Sequence, residues 1–443
     1  MEKPLGPVGE TRFVAGGPVG DNRRVTDLLD DLLWRGLVQD STDLDELRQH
    51  LAAGPVTFYV GFDPTAASLH VGHLVQVVTA RRFQQAGHRP LLLVGGATGQ
   101  IGDPREVGER TLNAPEVVAG WVERIRTQLA PFVSYEGDHA ATLVNNLDWT
   151  SEMSAIQFLR DVGKHFPVNR MLGREIIRAR LESGISFTEF SYQLLQSNDY
   201  FELNRRHGCT LQYGGSDQWG NITAGVDFIR RRGGGAVHAF TTPLVTKADG
   251  TKFGKSEGGS VWLDPEMTSP YAFYQFWFNT DDADVMAYLK YFSFRSHEEL
   301  DELAKLTAEK PAAREAQRAL ATELTTLVHG ETECAQAVAA AQALFGRGSL
   351  ADLSPATLRS ALSEAGLVAL AGPLPSVAAL LKESGVVASM NEARRTIAEG
   401  GAYVNNERVS DAEAVVDEST LLHGRYLVLR RGRRTVAGVE LAR

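Results

Sequence analysis

The chain has 443 residues, of which 43% are hydrophobic and 23% charged, and its formal net charge is −10. This length predicts two to four domains of an ordinary soluble globular protein, and no stretch approaches the roughly 20 apolar residues of a membrane-spanning helix. The acidic balance excludes a surface that is basic throughout, so any nucleic-acid site has to be a local basic patch.

The N-terminal segment and the two cysteines indicate the compartment. Residues 1–24 are rich in Gly and Pro and lack the apolar core of a signal peptide, which predicts a flexible tail. Cys209 and Cys334 match no metal-ligand spacing. We therefore expect a cytoplasmic protein with reduced thiols and no metal bound by its own side chains.

The segments that follow the tail predict a parallel α/β sheet. Leucines at helical spacing in residues 26–37 predict a helix. Residues 56–62 predict a strand, and residues 74–85 predict a helix that ends at Gly87. Residues 91–94 predict a strand buried on both faces, with a Gly-rich loop after it. Strand, helix and buried strand in this order are typical of a doubly wound parallel sheet.

The rest of the chain changes pattern twice. Residues 153–166 and 188–200 predict helices, and residues 211–215 predict the end of a strand. From Ser269 the pattern is helical over a long stretch, and the last residues have a separate hydrophobic rhythm. We divide the chain into a flexible tail (1–24), an α/β domain with an inserted segment (25–245), a mobile loop region (246–268), an α-helical domain (269–345), a linker around a small helix (346–375) and a C-terminal module (376–443).

Two histidines stand at a predicted transition from strand to helix. His70 and His73 would present N–H donors beside the positive end of a helix dipole, and Gly72 leaves room for a purine or phosphate against the backbone. Two other interpretations stay open. The residues could be ordinary surface histidines or a metal pair, although no Cys or carboxylate stands at a ligand spacing nearby.

Two lysines lie in the loop region. Lys252 and Lys255 flank a glycine in the sequence Lys-Phe-Gly-Lys-Ser, which Ala-Asp-Gly-Thr precedes. Such a loop suits an anionic ligand whose charge moves during a reaction, since it could close over a triphosphate and stabilise the departing pyrophosphate. The alternative is a solvated lysine loop without a ligand.

One predicted helix carries a polar stripe. Tyr192, Gln196 and Asp199 fall at i, i+4 and i+7, so they share a face amid apolar neighbours, which favours a polar ligand. A solvent-facing stripe is the alternative. Tyr59 and Asp103 could converge on the same pocket, because ligands of open α/β sheets bind at the carboxyl ends of the strands.

These motifs carry a family resemblance. His-Val-Gly-His and Lys-Phe-Gly-Lys-Ser resemble the two signatures of class I aminoacyl-tRNA synthetases, and blocks at 59–65, 94–99, 184–192 and 214–221 are similar to the bacterial tyrosyl-tRNA synthetases. The similarity runs from about Asp27 to the C-terminus. It implies an α/β fold in which a doubly wound, Rossmann-like catalytic domain is followed by an α-helical domain and a small α+β RNA-binding module.

The resemblance also implies roles for the candidate residues. The substrates would be L-tyrosine, ATP with Mg²⁺, and tRNA(Tyr), with no tightly bound cofactor. Tyr59 and Asp199 would bind the phenolic hydroxyl of tyrosine. Its ammonium group would be held by Asp103, Tyr192 and Gln196, with Gln218 near the carboxylate. The catalytic and nucleotide-binding positions would be His70, His73, Asp63, Thr65, Lys252, Lys255, Gly72, Gly215, Asp217 and Arg110.

The sequence departs from this family in two places. The loop after Asp103 lacks the lysine pair that many relatives use for the triphosphate, and only Arg105 and Arg110 could replace it. Three further side chains are more polar or larger than expected beside the pocket. They either face away or tune the site for a tyrosine analogue or an inhibitor, and they are Gln193, Ser197 and Tyr213.

The C-terminal module resembles a small RNA-binding module of a ribosomal protein. Its arginines predict the local basic patch that the acidic net charge requires, namely Arg394, Arg395, Arg430, Arg431, Arg433 and Arg434. The resemblance also implies a homodimer, to whose interface the apolar helix at 155–166 could belong. That helix could equally be part of the core.

Two rival functions remain open at this point. One is a specialised paralogue that activates another aromatic acid, uses the adenylate for biosynthesis or tolerates an inhibitor. The other is an RNA-binding protein that has kept the fold and lost catalysis. The catalytic-type residues speak against the second, and the intact C-terminal module speaks against a purely biosynthetic activator.

Overall fold

A computed structural model describes residues 27–105, 108–251, 253–256, 259–432 and 434–442. The predicted tail, Lys252 and Arg433 lie outside these ranges, and of Lys255 only the backbone is described. Within the described ranges no helix is long and apolar enough to cross a membrane.

The first domain is built on a five-stranded sheet whose strands all run parallel. The strand order β3-β2-β1-β4-β5 reverses direction at β1, which confirms the predicted doubly wound arrangement and places a crevice between β1 and β4. Residues 91–94 are buried, as predicted for a central parallel strand. The strands are β1 (Thr57–Phe62), β2 (Arg89–Val94), β3 (Thr142–Asn145), β4 (Cys209–Gly215) and β5 (His238–Thr242).

Helices and short turns surround this sheet. They are α1 (Leu28–Arg35), α2 (Leu44–Ala52), α3 (Val71–Gln85), α4 (Thr98–Ile101), α5 (Pro115–Leu129), α6 (Leu147–Thr150), α7 (Ala155–Asp161), α8 (Val168–Leu172), α9 (Glu175–Arg180), α10 (Phe187–His207) and α11 (Trp219–Arg231). A two-stranded hairpin, β6 (Lys255–Ser256) with β7 (Gly259–Ser260), follows the sheet.

Three helices differ in length from the prediction. Helix α3 begins at Val71 because the His70 side chain caps it. Helix α10 continues to His207, where Gly208 ends it in the left-handed conformation with φ of 62°. The helix predicted for 153–166 is shorter, since α7 is followed by a 3-10 turn at Gly163–His165.

The second domain is helical, as its sequence pattern predicts. Ser269 caps its first helix and Pro270 occupies the first helical position, where a missing N–H costs nothing. An aromatic core forms around the buried side chains of Phe273, Trp277 and Phe292. The helices are α12 (Pro270–Phe278), α13 (Asp282–Phe292), α14 (His297–Glu309), α15 (Glu315–His329) and α16 (Glu331–Ala343).

The C-terminal part contains a second five-stranded sheet, of order β10-β9-β11-β12-β8. Its elements are α17 (Pro355–Ala365), β8 (Leu367–Ala371), α18 (Val377–Glu383), α19 (Met390–Ala398), β9 (Ala402–Val404), β10 (Glu407–Arg408), β11 (Tyr426–Arg431) and β12 (Thr435–Ala442). Strand β8 pairs in parallel with β12, with Gly438 opposite Leu367. The linker predicted for 346–375 is therefore corrected, since it contributes an edge strand to this sheet.

Two arginines join the first domain to the helical domain. Buried Arg35 binds Asp31 at 2.9 Å and donates to the carbonyl oxygens of Ser293 at 3.1 Å and Arg295 at 2.8 Å. Arg82, near the end of α3, donates to the same Ser293 carbonyl. These donors satisfy carbonyls of the C-cap residue of α13 and of the segment that follows it.

We expect Arg35→Met to destabilise the protein by about 3 kcal/mol, because it removes the buried cation beside Asp31 and leaves the Arg295 carbonyl without its donor. Urea denaturation followed by circular dichroism measures the change. The matched control is Arg48→Met. It removes exposed ion pairs between Arg48 of α2 and two residues at the start of α1, Asp27 and Asp30, and should cost less than about 1 kcal/mol. Equal losses in the two variants would contradict a structural role for the buried pair.

Candidate active site

The candidate site lies at the carboxyl ends of β1, β2 and β4, where the strand order reverses. The segment after β1 carries Asp63, the segment after β2 carries Asp103, and β4 runs into the turn that holds Gln218. Because parallel strands end at the same edge, three distant stretches of sequence meet here.

The two histidines cap helix α3 reciprocally. His70 Nδ1 accepts a hydrogen bond from the Gly72 N–H at 3.0 Å, and His73 Nδ1 accepts one from the His70 N–H at 3.1 Å. Burial lowers the pKa of His70, and burial together with the His70 charge lowers the pKa of His73 to about 3. Both rings are therefore neutral at pH 7 and carry their proton on Nε2, as uncharged donors at a helix N-terminus.

The loop that contains Lys255 packs its backbone against the start of α3. Gly254 has φ of 78°, and a Cβ added there would lie 2.9 Å from Val71 Cγ2. The Val261 N–H donates to the Gly254 carbonyl at 3.0 Å, and the Val71 N–H donates to the Val261 carbonyl at 2.9 Å. Phe253 packs among aromatic rings of the helical domain, including Trp277 and Tyr288. The two predicted motifs are thus adjacent in the fold.

Asp199 lies at the bottom of the site beside Tyr59. Its carboxylate accepts hydrogen bonds from Asn146 Nδ2 at 3.0 Å and Trp149 Nε1 at 2.8 Å. Burial raises the pKa of Asp199 to about 7. The Tyr59 hydroxyl is buried with no hydrogen-bond partner among the described residues, and burial followed by the Asp199 charge raises its pKa. This pair of groups could satisfy a ligand hydroxyl.

A second group of polar side chains lies around Asp103. Its carboxylate accepts from Gln218 Nε2 at 2.9 Å and from Asn221 Nδ2 at 3.2 Å, and burial raises its pKa. The Gln196 Oε1 is buried without a partner among the described residues. These acceptors suit a ligand that brings several N–H donors and a positive charge.

Asp63 was predicted as a neighbour of phosphates, but both of its oxygens bind protein groups. Oδ2 accepts from the Tyr192 hydroxyl at 2.7 Å, and Oδ1 accepts from the Thr98 hydroxyl at 2.6 Å. Asp63 thus orients Tyr192, and exposed Thr65 lies two residues further along the same turn.

The exposed carboxylate of Asp217 accepts from Gln218 Nε2 at 3.0 Å. A Cβ added at Gly215 would lie 2.5 Å from Asp217 Oδ1, so the exposed Asp217 side chain occupies the space beside this glycine. Arg110 Nε donates to the Asp103 carbonyl at 2.8 Å, which brings the predicted arginine to the edge of the site. The described residues include no group of three or more His, Cys, Asp or Glu side chains suited to a metal ion.

Sequence reasoning missed several residues that hold the site together: Thr98, Asn146, Trp149 and Asn221. Asn146 directly follows strand β3, so its position at a strand end was the available signal. Trp149 stands in a short helix with no motif, and nothing in the sequence indicated its partner.

The three unusual side chains have different surroundings. Tyr213 stacks with Phe83 and Phe240 in the core and donates to the Gln76 carbonyl at 2.7 Å, so it faces away from the site. Gln193 donates to the Gly220 carbonyl at 2.8 Å and ties α10 to α11. Ser197 is fully buried.

The predicted RNA-binding arginines divide into paired, buried and exposed groups. Arg394 pairs with Glu413, and Arg431 pairs with Glu392. Arg430 is only 7% exposed, since it stacks over a tyrosine ring and donates to the Gly432 carbonyl. The Arg430 side chain is thus part of the module's interior, which leaves little of it for the predicted contact with RNA. Exposed side chains remain at Arg395 and Arg434.

Comparison with known proteins places these features in a family. Residues 51–346 match the family model "tRNA synthetases class I (W and Y)", and residues 362–437 match the model "Tyrosine--tRNA ligase SYY-like C-terminal domain". A tyrosine–tRNA ligase of Streptomyces griseus is 66% identical over 94% of this chain and 99% of its own length. One of Mycobacterium tuberculosis is 60% identical over 93% of this chain and 98% of its own length.

Solved structures agree at the level of the fold. A C-terminally truncated mitochondrial tyrosyl-tRNA synthetase of Aspergillus nidulans superposes with a TM-score of 0.63 and 32% identity, covering 70% of this chain and 92% of that one. A tyrosyl-tRNA synthetase of Archaeoglobus fulgidus complexed with L-tyrosine has a TM-score of 0.54 at 18% identity, covering 70% and 99%.

We expect Asp199→Asn to gain stability relative to the native chain as the pH rises. The folded-state pKa of about 7 lies above the unfolded value, so the native carboxyl costs stability once the pH rises past the unfolded pKa. The difference in unfolding free energy between variant and native chain should grow by about 1 kcal/mol per pH unit from pH 5 to 7 and then level off. Urea titrations at each pH measure it. A pH-independent difference would contradict the raised pKa.

Proposed function

Since the chain belongs to the tyrosine–tRNA ligases of class I, we propose that the site at the strand ends carries out both of their steps. The chain activates L-tyrosine with ATP to form tyrosyl-adenylate and then transfers the tyrosyl group to the 3′-terminal ribose of tRNA(Tyr). The observation that carries the assignment of the site is the buried, unpartnered Tyr59 hydroxyl beside the Asp199 carboxylate, which together suit a phenol.

We assign the tyrosine side chain to this deep end of the pocket. The phenol would donate to Asp199 and accept from the Tyr59 hydroxyl. Asn146 and Trp149 already hold the carboxylate in place, so little reorganisation is needed on binding. Phenylalanine would leave the Tyr59 hydroxyl and the Asp199 carboxylate buried without the ligand hydroxyl, and this cost is the proposed basis of selectivity.

The amino-acid head group would lie near the mouth of the pocket. The ammonium would be bound by Asp103, Tyr192 and the unpartnered Gln196 oxygen, with Gln218 beside the reacting carboxylate. Asp63 supports this group through Tyr192.

ATP with its Mg²⁺ would bind above the start of α3. His70 and His73 would donate neutral N–H groups to the α-phosphate, and Gly72 would allow the nucleotide to approach the backbone. The rest of the nucleotide site would comprise Thr65, Gly215, Asp217, Arg110, Lys252 and Lys255. The tyrosine carboxylate attacks the α-phosphorus in line and pyrophosphate leaves, so this step needs positioning and charge stabilisation rather than a protein nucleophile.

The tRNA would contact the helical domain and the C-terminal module. Arg394, Arg395, Arg431, Arg433 and Arg434 are the proposed basic contacts, and those in ion pairs would exchange a carboxylate for a phosphate. We also place the protein in the cytoplasm, where its tRNA substrate is found.

The inserted segment before α10 is the proposed dimer interface. Helix α7 has no buried residue, and only Phe158 packs toward the core beside the buried Val162, so most of the helix surface is free for a partner. Large apolar side chains are exposed in this segment and at the start of α10, with Ile156 at 75% and Phe187 at 70%. A second copy of the chain would cover them.

The first test of function is amino-acid-dependent ATP–pyrophosphate exchange, in which we expect tyrosine to support exchange far better than phenylalanine or tryptophan. Tyr59→Phe should reduce the preference for tyrosine over phenylalanine about tenfold, because it removes one partner of the phenol. Tyr213→Phe removes a core hydroxyl outside the site and should keep the preference. Exchange that prefers a tyrosine analogue would favour a specialised paralogue, and no exchange with any substrate would refute the activating step.

The dimer is tested by sedimentation velocity. We expect the native chain to sediment as a dimer, and Ile156→Asp with Phe187→Asp to shift it to monomer, because two charges would be buried at the interface. The control is Val415→Asp, which places a charge at an equally exposed apolar side chain of the C-terminal module and should leave the dimer intact. A native monomer at micromolar concentration would overturn the proposed interface.

A further inference from the structure

An ion pair is buried beside the candidate site, between helices α9 and α10. Arg180 Nη1 lies 3.2 Å from Glu189 Oε2, and the two side chains are only 3% and 1% exposed. Such a pair is costly to bury unless further hydrogen bonds satisfy its remaining donors and acceptors. The additional partners of this pair therefore indicate what it holds.

Those partners are backbone groups of the loop that follows Asp103. Arg180 Nη1 donates to the Arg105 carbonyl at 3.0 Å and to the Gly108 carbonyl at 2.8 Å. Glu189 Oε1 accepts from the Arg110 N–H at 2.9 Å. The two charged side chains thus fasten the loop at three backbone positions to the first turn of α10.

The loop in turn fixes the Arg110 side chain. Its Nε donates to the Asp103 carbonyl at 2.8 Å, and it passes over Gly102, where an added Cβ would lie 2.4 Å from Arg110 Cδ. Its charge lies close enough to Asp63 to oppose the rise in the pKa of that carboxyl, which burial dominates. Arg110 is therefore held at both its backbone and its side chain, with a positive charge at the edge of the pocket.

We propose that the Arg180–Glu189 pair positions Arg110 toward the triphosphate of ATP, so that the pair determines ATP affinity without touching the nucleotide. This inference rests on the proposed function. Neither residue is catalytic, since both act through the loop backbone. A fixed cation costs less entropy on binding than a mobile one, and small displacements of such groups change rates strongly.

The geometry separates this effect from tyrosine binding. The Asp103 carboxylate is held by Gln218 and Asn221, whose hydrogen bonds do not pass through the pair. Asp199 is held by Asn146 and Trp149 on another segment. Loss of the pair should therefore weaken ATP binding far more than tyrosine binding, although Glu189 shares helix α10 with Tyr192.

The test measures the KM for ATP and for tyrosine in pyrophosphate exchange for Arg180→Met, Arg180→Lys, Arg110→Ala and the double variant Arg180→Met/Arg110→Ala. We expect Arg180→Met to raise the KM for ATP about tenfold or more, and the KM for tyrosine far less. Arg180→Lys keeps the charge opposite Glu189 but cannot reach both carbonyls, so it should raise the KM for ATP as well. Arg126→Met breaks an exposed ion pair on α5 and should change neither constant.

The double variant distinguishes positioning from general damage. If the pair acts through Arg110, Arg180→Met has little further effect once Arg110 is alanine. Multiplied effects of the two changes, or an equal rise in both KM values, would overturn the proposal. Calorimetric binding of the β,γ-methylene analogue of ATP reports the same loss without catalysis. If the native chain binds the analogue but shows no exchange, the proposed function is contradicted. The difference in analogue binding between the native chain and Arg180→Met still tests the role of the pair.

Discussion

Three carboxylates share the buried pocket, and the way they are held determines what the pocket can bind. Burial raises the pKa of Asp63, Asp103 and Asp199. The hydrogen bonds that they accept come from neutral hydroxyl, amide and indole groups. A carboxylate satisfied by neutral donors keeps its attraction for a cation, whereas a direct ion pair would have neutralised it. The pocket therefore offers negative potential in a rigid frame, which suits an amino acid that carries an ammonium group.

Helix α3 connects this pocket to the rest of the molecule. Its N-cap and first turn supply the two histidines, and Arg82 in its last turn binds a carbonyl at the C-terminus of α13. The helix is 15 residues long and spans about 22 Å as a rigid element. Phe253 makes the opposite connection, from the loop beside the histidines into the aromatic core of the helical domain. The orientation of the helical domain and the geometry of the nucleotide site thus depend on the same elements.

The sequence predicted those features that depend on residues close together in the chain, such as single strands and the faces of helices. The apolar run at 91–94 is typical of a buried strand, and motif spacing identified the histidines and the polar stripe of α10. Contacts between distant segments were beyond such reasoning. Asn146 and Trp149 reveal their role only when β3 is placed beside the sheet centre, and the burial of Arg430 depends on a tyrosine contributed by another strand. Strand β8 was assigned to a linker because five residues between glycines carry no periodic signal of their own.

The parallel pairing of β8 with β12 sets where the chain can be divided. A fragment that began at residue 376 would lack β8, so the backbone N–H and C=O groups along one edge of β12 would be open to other chains. It would also lack α17, which packs closely on β12. A Cβ added at Gly438 of β12 would lie only 2.7 Å from the Leu362 Cβ of α17. A soluble, isolated C-terminal module therefore has to start before Pro355, and domain exchange between relatives should follow the same boundary.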